Sequence, residues 1–265
     1  MADEFEGRVV LVTGAGSGIG REAARKFASR GAHVYAAGRG EAGLLETQRL
    51  ISEAGGQVTT AVADVAVEDE VAAVDKIASE TGRLDVAFNN AGVAGGAHRL
   101  EDYPTEDFDN VVSVNLRSVF LCMKYELPLM KRHSVPAAIC NTASVAALTG
   151  PGGMSAYAAS KHVHGLTRVA AMENAALNIR VNTLAPGWTE TPMVIAAAAQ
   201  NPAFAKQTDS AIPAKPFPTP CPSAEPQPQS SAVCLTAART GAPSTGGNAA
   251  LLTQRGAMSG SSPSR

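Results

Sequence analysis

The sequence is poor in cysteine, carries little net charge and contains no long apolar run. Its four cysteines form no C-x-x-C pair, which argues against a disulfide framework and indicates a reduced, cytoplasmic protein. A formal charge of -2 gives no electrostatic reason to bind nucleic acid or an anionic membrane. No apolar run approaches the ~20 residues of a membrane span, and the acidic N-terminus lacks the apolar region of a signal peptide.

Short apolar runs alternate with longer helical segments through most of the chain. Six runs suit strands buried on both faces of a parallel sheet, at residues 9–12, 32–37, 57–63, 84–89, 137–142 and 179–184. Helices are predicted at 21–29, 44–54, 67–79, 105–130 and 155–177, with Pro128 kinking or ending the fourth. This alternation predicts an α/β fold, a Rossmann-like doubly wound parallel sheet in three αβα layers.

Composition divides the chain into three parts. Residues 1–190 carry the predicted strands and helices, and residues 191–212 form a lid loop whose Ala-rich stretch at 194–199 predicts a short helix. Residues 213–265 are rich in Pro, Ser, Gly and Ala, and nine of the 16 prolines lie after residue 210. We predict an irregular tail here, which would leave the sixth strand at the edge of the sheet without a seventh strand beside it.

Tyr157 and Lys161 lie four residues apart in the last predicted helix, so both side chains project from one face. A free phenol titrates near pH ~10 and is a poor base at neutral pH. An ammonium one turn away favours the phenolate and lowers the phenol pKa, which predicts a proton-transfer pair. The alternative is a solvated surface contact, since this spacing also arises by chance.

The first strand runs into a turn with glycines at Gly14, Gly18 and Gly20, followed by a helix. Such a turn lets the backbone approach a pyrophosphate, and the helix N-terminus offers N–H groups and positive potential. The spacing is G-x-x-x-G-x-G rather than G-x-G-x-x-G, since Ile19 follows Gly18. We interpret the turn as a nucleotide site, with an ordinary flexible turn as the alternative.

Further motifs follow along the chain in a fixed order. They are Asn89-Asn90-Ala91-Gly92, Ser144, Tyr157-x-x-x-Lys161 and Pro186-Gly187, after the turn at 13–20. Together these segments resemble the classical short-chain dehydrogenase/reductase family over about residues 7–213. The resemblance implies a Rossmann-like sheet with helices on both faces, and NAD(P)-dependent oxidation of alcohols or reduction of carbonyls.

The resemblance also implies catalytic roles. Tyr157 would be the general acid/base, and Lys161 would lower its pKa and hold the nicotinamide ribose. Ser144 would hydrogen-bond the substrate oxygen, and Asn115 would hold a relay water. Taken singly, Ser144 could instead cap a loop, and Asn115 could bond nearby backbone.

A larger set of residues is implied to bind the cofactor. The glycine turn would hold the pyrophosphate, Asp64 would contact the adenine, and the segment after the sixth strand would border the nicotinamide. Asp64 could alternatively cap the segment that follows it. The full predicted set is Gly14, Ser17, Gly18, Ile19, Gly20, Arg39, Asp64, Val65, Asn90, Ala91, Gly92, Tyr157, Lys161, Pro186, Gly187, Thr189 and Thr191.

Arg39 bears on which cofactor is used. The second strand ends in Gly38-Arg39, without the acidic residue that would bind the ribose 2′-hydroxyl of NAD. Arginine suits bidentate contacts to the 2′-phosphate, so we predict NADP, with NAD possible. Against this stand Ser17, where many NADP enzymes of the family carry a basic residue, and the alternative of a solvated arginine.

The sequence thus predicts an oxidoreductase that transfers hydride between NAD(P)(H) and a small secondary alcohol or ketone. The alternative is a nucleotide-binding protein with little or no turnover, because the altered C-terminal part could abolish activity. Nucleic acid and membrane are not predicted partners, whereas helices 105–130 and 155–177 could form a homodimer or homotetramer. We predict no metal site, because His162 and His164 have no further ligand at metal-binding spacing.

Overall fold

Aliphatic runs form a seven-stranded sheet. A computed structural model describes residues 4–132, 136–200 and 233–235. The strands are β1 (Val9–Thr13), β2 (His33–Gly38), β3 (Gln57–Val62), β4 (Val86–Asn89), β5 (Ala137–Thr142), β6 (Ile179–Ala185) and β7 (Val233–Leu235). Their order is β3-β2-β1-β4-β5-β6-β7, and β1 to β6 run parallel. The predicted Rossmann-like sheet is confirmed.

Helices cover both faces of this sheet. They are α1 (Gly18–Ala28), α2 (Glu41–Glu53), α3 (Ala73–Glu80), α4 (Thr105–Val112), α5 (Ser118–Met130), α6 (Ala146–Thr149), α7 (Ser155–Ser160), α8 (His164–Asn174) and α9 (Pro192–Gln200). Short 3₁₀ turns lie at Glu68–Ala72, Leu100–Asp102 and Ala175–Leu177. The helix α9 falls in the predicted lid segment. Within the described residues, no helix is both long and apolar enough to cross a membrane.

Strand β1 shows why the central strands are apolar on both sides. All five of its residues are buried. Val9 and Leu11 belong to the core cluster on one face of the sheet, and Val10 and Val12 belong to the cluster on the other. Alternate side chains of a strand point to opposite faces, so a sheet covered by helices on both sides requires an unbroken apolar run.

The predicted helix 105–130 contains a π-helical turn at Ser113–Arg117, between α4 and α5. The Ser118 N–H donates to the Ser113 carbonyl, five residues back, instead of four as in an α-helix. Pro128 lies inside α5, and the helix ends two residues later at Met130. Asn115 is the middle residue of this π-helical turn.

The prediction of one helix over 155–177 is wrong. The chain leaves helical geometry between α7 and α8, where the His162 N–H donates to the Ala159 carbonyl, three residues back. Neither Gly nor Pro occurs at this break, so the sequence carries no signal for it. Lys161 forms the C-cap of α7, and its Nζ donates to the Thr142 carbonyl at 3.2 Å.

The prediction that β6 lies at the sheet edge is also wrong. Strand β7 pairs antiparallel with β6, with Thr183 opposite Leu235 and Ala185 opposite Val233. Three residues suffice to hydrogen-bond part of the exposed strand edge, and the Pro- and Ser-rich surroundings obscure so short an apolar run. The predicted irregularity of the rest of 213–265 concerns residues outside the described part of the chain.

The strand order reverses between β1 and β4, which creates the crevice where open α/β sheets bind ligands. Thr13 joins the two strands at this point. Its Oγ1 accepts hydrogen bonds from the N–H groups of Asn90 and Ala91 at 3.0 and 3.1 Å. The Asn90 side-chain amide also donates to the Thr13 carbonyl at 3.2 Å. The turns after β1 and β4 are therefore held together as one rigid unit.

A buried polar network lies behind β4. The Asn89 amide donates to Glu126 Oε2 at 3.1 Å and to Asn141 Oδ1 at 3.0 Å. Asn141 in turn donates to Thr167 Oγ1 at 3.0 Å. Burial raises the pKa of Glu126 to about 7, which the hydrogen bond from Asn89 opposes. The carboxyl is fully enclosed between α5 and the sheet, and its second oxygen has no partner among the described residues.

We predict that Glu126→Gln flattens part of the pH dependence of stability. The pKa of Glu126 is raised in the folded state, from 4.5 to about 7, so the native protein holds this proton more tightly than the unfolded chain. The contribution of Glu126 to the free energy of unfolding is complete below the pKa of the unfolded state. It declines as the pH rises to the pKa of the folded state. At about pH 8 the variant should be more stable than the parent by up to about 3 kcal/mol.

Urea unfolding at about pH 5 and about pH 8 measures this difference. Glu173→Gln on α8 is the control, because it removes an exposed carboxylate. Parallel stability curves for the parent and Glu126→Gln would contradict the prediction.

Candidate active site

A cleft of about 790 Å³ opens at the carboxyl ends of β1, β2, β4, β5 and β6. Every predicted cofactor residue except Gly20 lines it, as do Ser144, Tyr157 and Lys161. Asn115 is fully buried behind it. Further lining residues are Gly16, Gly38, Gly40, Gly43, Ala63, Val114, Thr142, Ala143, Pro192, Met193 and Val194.

The glycine turn is shaped by close backbone contacts. Gly14 has a positive φ of 66°, and a Cβ there would lie 2.9 Å from the Cα of Ala91. Only glycine fits a position with both constraints. Gly20 is not among the residues that line the cleft, and a Cβ there would strike the Gly14 carbonyl. It lets α1 pack against the turn and does not face the cleft.

Arg39 and Asp64 form the far end of the cleft. Arg39 Nη1 lies 3.6 Å from Asp64 Oδ2, and the Arg39 side chain is 58% exposed. Asp64 Oδ1 accepts a hydrogen bond from the Ala66 N–H at 2.9 Å, so Asp64 also caps the segment that follows it. A phosphate group approaching Arg39 would meet a guanidinium that already faces a carboxylate.

Ser144, Tyr157 and Lys161 meet at the opposite end. Lys161 Nζ lies 5.8 Å from the centroid of the Tyr157 ring, and Lys161 is only 3% exposed. Ser144 Oγ accepts a hydrogen bond from the Ala146 N–H at 3.1 Å, which leaves the hydroxyl proton available. A hydroxyl donor, a phenol and an ammonium therefore face one small volume, which is what proton transfer to a carbonyl requires.

The electrostatics of this end are dominated by burial. Burial raises the pKa of Tyr157, and the neighbouring Ser144 hydroxyl acts in the opposite direction. Burial lowers the pKa of Lys161 to about 8. That Lys161 lowers the pKa of Tyr157 stays a prediction. Removing the phenol from water disfavours the phenolate, so the phenol is neutral at neutral pH.

Asn115 ties the loop after β4 to α7. Its Oδ1 accepts from the Val93 N–H at 2.8 Å, and its Nδ2 donates to the Val93 carbonyl and to Ser160 Oγ, both at 2.9 Å. Both amide protons are used, so the side chain acts as a brace. A Cβ on Gly92 would lie 3.0 Å from Asn115 Oδ1 and from Lys161 Nζ. The Asn115 side chain and the Lys161 ammonium therefore both lie against Gly92.

The start of α9 lies against the glycine turn. A Cβ on Gly18 would lie 3.4 Å from the Thr191 side chain. Thr191 Oγ1 accepts from the Val194 N–H at 3.3 Å, and its carbonyl accepts from the Ile195 N–H at 2.9 Å, so it starts α9. Pro186 is held to the loop that carries Ser144, because its carbonyl accepts from the Val145 N–H at 3.0 Å.

Several cleft residues lie outside the predicted set for identifiable reasons. Thr142 and Ala143 immediately precede Ser144, and Val114 precedes Asn115, so adjacency to predicted residues was the available signal. For Gly43 the signal was less direct, namely a glycine in the first turn of α2. A Cβ there would lie 2.8 Å from the Gly16 carbonyl oxygen.

The cleft fits a dinucleotide. Its length runs from Arg39 to Lys161, and its floor is glycine where the backbones come closest. An ion-pairing residue lies at one end and a proton donor at the other. Among the described residues, no group of three or more His, Cys, Asp or Glu side chains could hold a metal ion.

Comparison with known proteins gives relatives named as a reductase and a dehydrogenase. The chain is 42% identical over 194 residues to levodione reductase of Leifsonia aquatica, covering 72% of each chain. It is 40% identical over 199 residues to cyclohexanol dehydrogenase of Acinetobacter sp. (strain SE19), covering 73% of this chain and 78% of the relative.

Solved structures share the fold. The crystal structure of levodione reductase has a TM-score of 0.77 at 38% identity, covering 82% of this chain and 87% of that one. A single-residue variant of actinorhodin polyketide ketoreductase with NADPH has a TM-score of 0.73 at 34% identity, covering 83% and 88%. The 3-ketoacyl-(acyl-carrier-protein) reductase of Brucella melitensis with NADH has a TM-score of 0.74 at 33% identity, covering 82% and 87%.

The family description "short chain dehydrogenase" matches residues 8–202, which include β1 to β6, the glycine turn and the Ser144, Tyr157 and Lys161 cluster. The chain belongs to the short-chain dehydrogenase family.

Proposed function

We propose that the protein transfers hydride between NADP(H) and a secondary alcohol or ketone, with Tyr157 as the general acid/base. The observation that carries the proposal is the convergence of Ser144, Tyr157 and Lys161 at one end of a dinucleotide-sized cleft. The bound nicotinamide would supply or accept the hydride. The protein's own part is to orient the substrate oxygen and to move the proton.

In ketone reduction, the substrate oxygen accepts hydrogen bonds from the Ser144 hydroxyl and the Tyr157 phenol. As the carbonyl carbon gains the hydride, the phenol proton moves to the oxygen, leaving an alcohol and a phenolate. The buried Lys161 ammonium stabilises that phenolate, and solvent then returns the proton. Alcohol oxidation reverses each step. Asn115 contributes as a brace, and the predicted relay water beside it stays part of the proposal.

The substrate we propose is an alicyclic alcohol or ketone. Two relatives are named for cyclic compounds, levodione reductase and cyclohexanol dehydrogenase. The lid also presents apolar side chains to the cleft, from Met193 and Val194 at the start of α9. An apolar cover would favour a ring over a charged chain, because burying a charge without a partner is unfavourable.

We further propose that the protein acts in the cytoplasm as a homodimer or homotetramer formed through its long helices. Phe120 on α5 and Met172 on α8 are 48% and 73% exposed, and Val169 on α8 is 57% exposed. A second copy would cover these apolar side chains.

The domain division at residues 190 and 212 likewise stays a proposal, with α9 as the described part of the lid.

Tyr157→Phe should lower the rate of cyclohexanone reduction by ~10²–10⁴-fold while leaving cofactor affinity nearly unchanged. The variant loses the transferred proton but keeps the ring. Absorbance at the nicotinamide band measures turnover, and cofactor fluorescence measures binding. A parent that binds cofactor yet turns over no alicyclic or open-chain ketone would favour the alternative of a nucleotide-binding protein. Mutant turnover within a few-fold of the parent would reject the role of Tyr157.

The pH profile of kcat/KM for the reduced cofactor should fall above about pH 8, where the buried Lys161 loses its proton. Tyr157 does not limit the profile there, because its pKa is raised. Lys161→Arg should move this limb to higher pH, since a guanidinium stays charged. An unchanged limb in the variant would show that another group titrates.

Arg39→Ala should lower kcat/KM for NADPH relative to NADH by about tenfold or more, because hydrogen bonds to a charged phosphate are strong. Arg49→Ala is the matched control, since Arg49 lies on α2 and pairs with Glu46 and Glu53 away from the cleft. An unchanged ratio between the two cofactors would show that Arg39 does not recognise the phosphate, and NAD would become the preferred choice.

A further inference from the structure

Two side chains outside the predicted site, Arg21 and Thr47, form hydrogen bonds with the backbone of the glycine turn. Thr47 is fully buried, and its Oγ1 lies 2.9 Å from the Ala15 carbonyl oxygen and 3.0 Å from that of Gly43. Arg21 Nε donates to this hydroxyl at 3.0 Å. Arg21 Nη2 donates to the Gly16 carbonyl and, at 3.3 Å, to the Gly43 carbonyl.

These bonds determine where the N–H groups of the turn point. In a planar trans peptide, the C=O and N–H bonds point in opposite directions. Thr47 holds the carbonyl of Ala15 and Arg21 holds that of Gly16, so the N–H groups of Gly16 and Ser17 are turned the other way. Gly16 and Ser17 line the cleft, and within the described part of the chain neither N–H has an acceptor.

The same contacts join α2 to the turn. The Gly43 carbonyl is shared by Arg21 and Thr47, and the missing Cβ of Gly43 allows α2 to approach the Gly16 carbonyl. Arg21 bonds a hydroxyl and two carbonyls and forms no ion pair with another described residue, although the Glu46 carboxylate is near enough to interact with its charge. That positive charge lies immediately behind the two N–H donors.

We propose that Arg21 and Thr47 are positioning residues for dinucleotide binding, which orient the Gly16 and Ser17 N–H groups toward the cofactor pyrophosphate. Successive N–H groups that point into one concavity form an anion site, and a nearby cation strengthens it. The inference rests on the proposed function, because it assumes that a dinucleotide occupies the cleft. It adds a second element, the α1–α2 contact, to a site otherwise built from strand ends.

A purely structural role would predict a different result. If Arg21 and Thr47 only packed α1 against α2, their loss would lower stability without distinguishing one ligand from another. If they orient the N–H groups, their loss weakens ligands that contain a pyrophosphate and spares ligands that lack it. ADP-ribose and adenosine provide this contrast, since they share the adenosine and differ in the diphosphate.

The experiment measures ADP-ribose affinity by calorimetry and adenosine affinity by NMR titration, for the parent, Arg21→Met and Thr47→Val. Each variant should bind ADP-ribose about tenfold more weakly and adenosine equally well. Arg21→Lys and Thr47→Ser should each recover part of the loss, because each restores a donor. Thermal unfolding of the unliganded variants checks that they fold. If Arg21→Met does not fold, the comparison of Thr47→Val with Thr47→Ser tests the inference.

Arg25→Met is the matched control. It removes the same charge from the same helix, one turn further on, where Arg25 pairs with Glu22. It should leave ADP-ribose affinity unchanged. Equal losses for both ligands, an equal loss in Arg25→Met, or no loss at all would overturn the inference while the proposed function stands. A parent that does not bind ADP-ribose would overturn the proposed function, and this inference with it.

Discussion

The hydroxyl of Thr13 holds together the two strands on which the whole cleft depends. At a reversal of strand order the connections leave β1 and β4 in opposite directions, so nothing in the sheet itself fixes the turns beyond the strands. One oxygen that accepts from two N–H groups supplies this link at the point of divergence. Glycine at position 14 then lets the backbones touch, and the cleft acquires a floor made of main chain.

Burial gives three ionisable groups in this fold three different states. It keeps Tyr157 protonated, brings the pKa of Lys161 close to physiological pH, and holds Glu126 near its titration point behind the sheet. The first two face the cleft, where a change of charge can serve chemistry. Glu126 faces the core, where ionisation would only oppose folding. The same desolvation penalty therefore acts as a functional device at the cleft and as a liability in the core.

Local signals in the sequence were enough for the six parallel strands and for most of the cleft. Apolar runs define the strands, and glycine, Ser144 and the Tyr157–Lys161 spacing mark the site because these residue types are chemically constrained. The break between α7 and α8 could not be predicted, since no helix breaker occurs there and the side chains of Ser160 and Lys161 beside it bond groups far along the chain. Strand β7 is set by a long-range partner, β6, and the direction of the Tyr157 pKa shift depends on how atoms are packed around it.

The π-helical turn at Ser113–Arg117 has a consequence for how this chain can vary. One extra residue is accommodated there, so deleting a single residue within the turn would restore regular helix and leave the residues after it facing the same way. A deletion farther along α5, ahead of Glu126, would instead rotate the residues after it by about 100° and carry this carboxyl off the core side. A change in the length of this helix can therefore be absorbed at the π-helical turn, whereas the rest of α5 tolerates substitutions but not deletions without refitting its interface with the sheet.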